Sequence, residues 1–185
     1  MGPDRGMPAG CVIRQLTPAD IPAYRPLRLE ALRLHPEAFA SDEATEAQLS
    51  TEAVGARMPA ASGGLFGGFI GNDLHQHLAG MAGLIVDPRP KLRHKGVLVG
   101  MYVAAPYRRS GLNRALVQHV IDRALGAGLS TLQLSVTLGN DSARRLYMAC
   151  GFRPYGVEPA AIRVDGRCYD TELMALRLSP AATRS

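Results

Sequence analysis

The stretch VAAPYRRSGLNRAL, residues 103–116, follows a solid apolar run at residues 97–103 and marks the place where strand character gives way to helix character. After the Arg/Gly-rich segment, Leu112, Ala115, Leu116, Val120, Ile121, Ala124 and Leu125 recur at helical spacing until Gly126 and Gly128 end the run. A strand that ends on such a turn and feeds a helix N-terminus gathers several backbone N–H groups and the positive end of the helix dipole at one point. The pattern predicts an anion site, with a phosphate-bearing ligand as the leading candidate.

Towards the C-terminus, Leu132, Leu134 and Val136 alternate with Gln133 and Ser135, which predicts a strand over 131–137. Asn140-Asp141-Ser142 then caps a helix with Ala143, Leu146, Tyr147 and Cys150 on one face, stopped by Gly151. Residues 162–164 and 171–178 read as a terminal strand pair joined through Asp165-Gly166, a hairpin signal. Towards the N-terminus, strands are predicted at 65–70 and 78–86, separated by a polar tip containing His75-Gln76-His77. Asp87-Pro88-Arg89-Pro90 is a turn, and 60–64 is a small-residue loop. A helical stretch is predicted over 43–57 and a first strand over 12–16. Thr17-Pro18-Ala19-Asp20 has the form of a capping box with proline at the first helical position, and Leu16 and Ile21 are placed for a hydrophobic staple. Pro22 and Pro26 leave the first helix either kinked or restarting near Pro26 and running to Leu34.

The spacing of Arg108 and Gly111, with Leu112 in a variable place, resembles the acyl-CoA pyrophosphate loop R/Q-x-x-G-x-G/A of the GNAT superfamily of N-acyltransferases. Asn113 stands where that loop usually has Gly or Ala, and Pro106 sits one place later than the proline the turn often carries. Asn140, Ala143, Leu146, Tyr147, Gly151 and Phe152 resemble the same superfamily's second signature, N-x-x-A-x-x-L-Y-x-x-x-G-F, at the customary distance. LRLEALRLHPEAF and HKGVLVGMYV are similar to stretches in many bacterial members. The resemblance covers about residues 11–178. It implies an α/β (α+β three-layer) fold: a mixed, mostly antiparallel central sheet with splayed central strands, flanked by about four helices. One N-acetyltransferase domain, 11–178, is expected between flexible segments at 1–10 and 179–185.

The chemistry implied by the resemblance is direct attack of a substrate amine on the thioester of acetyl-CoA within a ternary complex. The main chain at Met101, Tyr102 and Val103 would hydrogen-bond the pantetheine arm, and Gly100 suits a bulge there. Arg108, Arg109, Ser110, Gly111, Leu112, Asn113 and Arg114 would cradle the pyrophosphate. Asn140 would hold the arm, cap its helix, or do both, and Ser142 would reach the cofactor. Tyr147, two helical turns beyond Asn140, is the candidate general acid or hydrogen-bond donor, with core packing as the other reading. An ordinary phenol, pKa about 10, is a weaker acid than a thiol at about 8.5, so full transfer needs a tuned site. Glu30, His94, Glu158, Asp170 and Glu172 are candidate bases beside a water chain. The acceptor pocket is expected between residues 28–41 and 155–169, for a small-molecule or protein amine. A non-catalytic acyl-CoA-binding module on the same fold is the alternative.

Composition sets further bounds. The 185 residues suit one domain, and the net charge of +5 suits a polyanionic cofactor. Lysine occurs only at 91 and 95, and the arginines form no basic stripe with interleaved aromatics, so nucleic acid is not expected as a partner. Cys11, Cys150 and Cys168 are unclustered and read as free thiols. The histidine tip is read as a solvated turn, and no metal is expected. No apolar run reaches the length of a membrane span and the N-terminus lacks a signal-peptide core, which predicts a cytoplasmic protein. The edge strand of the final hairpin offers a possible homodimer contact.

Overall fold

The computed structural model describes residues 10–56, 58, 63–72 and 75–178. Residues 1–9 and 179–185, most of the 60–64 loop, and Asp73 and Leu74 of the polar tip lie outside them. The chain runs β1 (Cys11–Gln15), α1 (Ile21–Leu34), α2 (Glu43–Ala47), α3 (Thr51–Ala56), β2 (Gly64–Asn72), β3 (His75–Val86) and β4 (Lys95–Val103). It continues with α4 (Leu112–Gly126), β5 (Thr131–Thr137), α5 (Asp141–Ala149), β6 (Arg153–Val164) and β7 (Arg167–Arg177). Short 3₁₀ turns occupy Pro18–Asp20, Pro36–Ala38 and Ala105–Tyr107.

The entry to α1 shows how local chemistry sets an element's start. The Asp20 carboxylate accepts from the Thr17 N–H at 2.8 Å and the Thr17 hydroxyl at 3.0 Å, so the reach-back half of the capping box forms. Arg14 closes on the same carboxylate at 2.6 and 2.8 Å, and these hydrogen bonds, helped by those from Thr17, hold Asp20 well below the usual carboxylate range. Leu16 and Ile21 are both buried. Of the two options for the first helix, the restart near Pro26 does not occur: α1 runs continuously through Pro26. The ring lies early in the helix, where the bond it forgoes is to the carbonyl of Pro22 in the first turn.

Three expectations need correction. His75-Gln76-His77, read as a turn between strands, belongs to β3 and pairs with residues 70–72 of β2. The single helical stretch over 43–57 is two helices, because Asp42 caps the first, accepting from Thr45 N–H at 2.8 Å, and Ser50 opens the second, accepting from Ala53 N–H at 3.2 Å. Short polar side chains that bond nearby backbone groups compete with helix continuation. This raises the number of flanking helices to five. The strand expected at 162–164 begins at Arg153, despite Pro154 and Pro159. It is the outer strand of the sheet, where missing donors face solvent and bulges are tolerated.

The sheet has seven strands in the order β1-β2-β3-β4-β5-β7-β6, antiparallel except where β4 meets β5. Tyr102 and Val103 are consecutive in β4 and fall in different buried clusters, one under α1 with Leu27, Ala31 and Met81, the other under α4 with Leu112, Leu116 and Val120. The two helices therefore cover opposite faces. Phe66, Leu132, Phe152 and Met174 fill the α4 side, and each side chain so buried stabilises the fold by about 1.5–3 kcal/mol.

Candidate active site

The central strands separate. β4 and β5 pair only at Lys95↔Thr131, Gly96↔Leu132 and Val97↔Gln133. Beyond that point β4 keeps its partner β3 and β5 keeps β7, so their facing edges carry unpaired N–H and C=O groups. The gap opens into a cleft of about 1310 Å³. In its β4 wall, Gly100 and Met101 together oppose Ala82, a β-bulge with Gly100 at φ +63°. A Cβ at Gly100 would meet nothing within 4 Å, so the glycine answers a conformational need.

At the cleft's end the chain turns through Ala105–Tyr107 into α4. Arg109 and Gly111 take φ values of +66° and +94°. The Ser110 hydroxyl donates to the Tyr107 carbonyl at 2.7 Å and accepts from the Leu112 N–H at 3.3 Å. The N–H groups of Arg109, Ser110, Gly111, Asn113 and Arg114 find no acceptor among the described residues. Such a run of free donors at a helix N-terminus is an anion cradle.

The cleft gathers Met101, Tyr102, Val103, Arg108, Arg109, Ser110, Gly111, Asn113, Arg114, Asn140, Ser142 and Tyr147. Leu112 differs from its expected place: its side chain is wholly buried against the sheet, and its N–H is taken by Ser110. Arg108 also departs from the expected cradle. Its Nε donates to the Val103 carbonyl at 3.1 Å, its Nη2 lies 3.2 Å from His35 Nε2, and its guanidinium sits 5.7 Å from the Tyr102 ring centre. The side chain braces the turn against the end of α1. His35 lies within the 28–41 stretch expected to wall the acceptor pocket, and its place directly before Pro36 marks a helix end.

Asn113 carries a buried Oδ1 without a partner. Asn140 caps α5, its Oδ1 accepting from the Ala143 N–H at 3.2 Å. The Tyr147 ring is buried and meets Phe152 edge-on at 6.0 Å. Burial pushes its phenol above the ordinary value, with Cys150 adding to the rise, so the hydroxyl stays protonated across the neutral range. Of the candidate bases, Glu158 lines the cleft. Glu30 accepts from the Tyr102 hydroxyl at 2.7 Å, Asp170 from the Ala160 N–H at 2.8 Å, and Glu172 from Arg144 at 2.8 Å. His94 lies where its carbonyl accepts from the Ser130 N–H, next to the end at which β4 and β5 still pair.

The arrangement fits an extended chain that ends in a diphosphate. Two unpaired strand edges would flank the chain, and free N–H groups would meet the diphosphate. Among the described residues no three His, Cys, Asp or Glu side chains cluster as metal ligands, and no helix is long and apolar enough to cross a membrane.

Comparison with known proteins supplies the context. Residues 29–152 match the profile described as Acetyltransferase (GNAT) family. A [Ribosomal protein bS18]-alanine N-acetyltransferase of Escherichia coli (strain K12) is 37% identical over 91 residues, 46% of this chain and 57% of that protein. An L-methionine sulfoximine/L-methionine sulfone acetyltransferase of Pseudomonas aeruginosa is 33% identical over 100 residues, 54% of this chain and 57% of that protein. The chain thus spans 57% of the length of these curated relatives. A GCN5-related N-acetyltransferase from Kribbella flavida superposes with a TM-score of 0.75 at 27% identity, covering 92% of this chain and 99% of that one. The Salmonella typhimurium protein yncA, solved with its cofactor acetyl-CoA, superposes with a TM-score of 0.78 at 22% identity, covering 95% and 98%, a likeness of fold.

Proposed function

This chain belongs to the acetyltransferase (GNAT) family, and from that premise we propose that it transfers an acetyl group from acetyl-CoA to a primary amine by direct attack within a ternary complex. The observation that carries the reading is the parting of β4 from β5 just before a turn rich in uncommitted N–H groups. In this reading residues 11–178 act as one catalytic domain.

The main chain of Met101, Tyr102 and Val103 binds the pantetheine arm along one wall, with Asn140 and Ser142 on the other. The N–H groups of Arg109, Ser110, Gly111, Asn113 and Arg114 receive the pyrophosphate, and Leu112 and Arg108 hold that turn still. Tyr147 faces the reacting sulfur as a protonated phenol. As the C–N bond forms and the C–S bond breaks, the thiolate takes a hydrogen bond or a proton from Tyr147, and the amine gives up its proton to water. Holding two reactants in line supplies about 7–11 kcal/mol of the barrier.

The relatives that act on a ribosomal protein alanine and on amino-acid analogues support an amine acceptor. Calorimetric titration with acetyl-CoA, followed by thiol release over a panel of amines, tests the proposal. Saturable binding near 1:1 with amine-dependent thiol release is expected. Binding without release for any amine would make the chain an acyl-CoA-binding module, and absence of binding would sink the reading.

A further inference from the structure

The acceptor wall of the cleft contains a polar group that nothing above uses. Thr137 of β5, Thr171 of β7 and Glu158 of β6 stand in one cross-strand row, Thr137↔Thr171 and Glu158↔Thr171, so their side chains share a face. That face holds the Pro36–Ala38 turn, because the Thr137 hydroxyl donates to the Glu37 carbonyl at 2.7 Å. All three residues line the cleft. Thr171 is 3% exposed, and its Oγ1 has no hydrogen-bond partner. Unsatisfied buried polar groups are uncommon in native folds and point to a missing partner.

Beside it β6 is bent. The register jumps from Glu158↔Thr171 to Ile162↔Tyr169, Ala160 takes φ +51°, and its N–H is pinned by Asp170 Oδ1 at 2.8 Å. A non-glycine residue in the left-handed region is a strained one, and such positions concentrate at functional sites. The bulge sets Glu158 into the cleft wall.

The charges along the cleft are sorted. Arg109 of the turn and Arg114 of the first turn of α4 line one end, and Arg145 of α5 also lines the cleft. Arg28 is already matched by Glu46 at 3.6 Å. Glu158 has no cationic partner among the described residues. A polyanion is favoured at one end and a cation at the other.

We propose that Glu158 and Thr171 receive the ammonium group of the acceptor, and that the acceptor is an amine without a neighbouring carboxylate: an amino-acid amide, or the first residue of a peptide. This rests on the acetyl-transfer reading. The Glu158 carboxylate and Thr171 Oγ1 each accept one ammonium N–H, leaving the third proton to depart to water from the open cleft. In a free amino acid the carboxylate sits on the same carbon as the amine, close to Glu158, and like charges at that range repel. Arg28, being paired, does not answer it.

The test is steady-state thiol release at saturating acetyl-CoA with three probes, L-alanine, L-alaninamide and an alanine-initiated tripeptide amide, in wild type, Glu158→Gln and Thr171→Val. Wild type should prefer the two amides. Because alaninamide is the weaker base, the deciding quantity is the change of that preference on mutation. Glu158→Gln should raise KM for the amides about tenfold, the scale of a hydrogen bond to a charged group, with kcat and acetyl-CoA affinity held and KM for alanine held or lowered. Thr171→Val should raise the amide KM about threefold while the unfolding midpoint rises, since a buried hydroxyl without a partner has gone; a purely structural threonine would move the midpoint alone. An unchanged preference in Glu158→Gln, a wild type that favours alanine, or a wild type that binds acetyl-CoA and acetylates none of the probes would overturn the proposal. A wild type that fails to bind acetyl-CoA would overturn the acetyl-transfer reading instead.

Discussion

The two ends of the cleft are built in opposite ways. At the turn end a single continuous stretch, from Gly100 to Arg114, supplies a bulge, three left-handed residues and a row of free N–H groups. At the acceptor end Thr137, Thr171 and Glu158 come from three separate strands and contribute side chains. A site made of backbone depends on conformation and anchorage, so it tolerates exchange of exposed side chains and fails when φ or packing changes. A site made of side chains responds in the reverse manner.

The largest effect should therefore come from the anchor of the turn. Leu112→Ala removes a wholly buried side chain beneath the cradle and should cost about 2–5 kcal/mol in urea unfolding, with acetyl-CoA affinity falling in parallel. Glu158→Gln, exposed on the edge strand, should stay within about 0.5 kcal/mol of wild-type stability, and a comparable loss in the two variants would break the contrast. Next comes Tyr147, where the two ends meet. Tyr147→Phe should lower kcat about 100-fold with acetyl-CoA affinity unchanged in calorimetry. Deprotonation would remove this donor, and burial raises its pKa, so the loss is displaced upward: the wild-type pH–rate profile should show no Tyr147-dependent decline below about pH 10. If Tyr147→Phe kept full activity, the ring would be core packing.

Gly100→Ala probes backbone control directly. No atom lies within 4 Å of the added Cβ, yet φ is +63°, so a stability loss of about 1–2 kcal/mol and weaker acetyl-CoA binding are expected together. Asn113→Ala sharpens the same point with the opposite sign, since removing a buried unpartnered oxygen should raise stability by about 1 kcal/mol while the cradle's N–H groups keep their affinity. The smallest effect lies far from both ends. The Asp20 pKa is lowered on folding, so the Arg14–Asp20 contribution is present above the unfolded carboxylate value near pH 4 and is lost as pH falls below it. Arg14 is partly exposed, so this part of the acid unfolding curve should amount to about 1 kcal/mol or less and vanish in Arg14→Ala.

The turn end was legible in the sequence because its determinants are local. Leu112 and Leu116 announce the helix, and the apolar run at 97–103 announces the strand. Local reading failed on side-chain direction. Arg108 turns inward to His35, a direction that does not follow from spacing along one element. It failed again at β6, where Pro154 and Pro159 argue against a strand that the edge of a sheet accepts.

Taken by itself, the sequence determined the order of the elements apart from the split of 43–57 into two helices, the strand-to-helix turn, the cap at Asn140 and the two signatures that place the chain in its family. All of these rest on hydrogen bonds and periodicities that span a few residues. Only the tertiary structure decided where β4 leaves β5, which side Arg108 braces, and that Thr171 and Glu158, thirteen positions apart in the chain, face one cleft across two strands. Those features depend on strand register and on contacts between distant segments, and the short-range preferences of a chain carry no record of either.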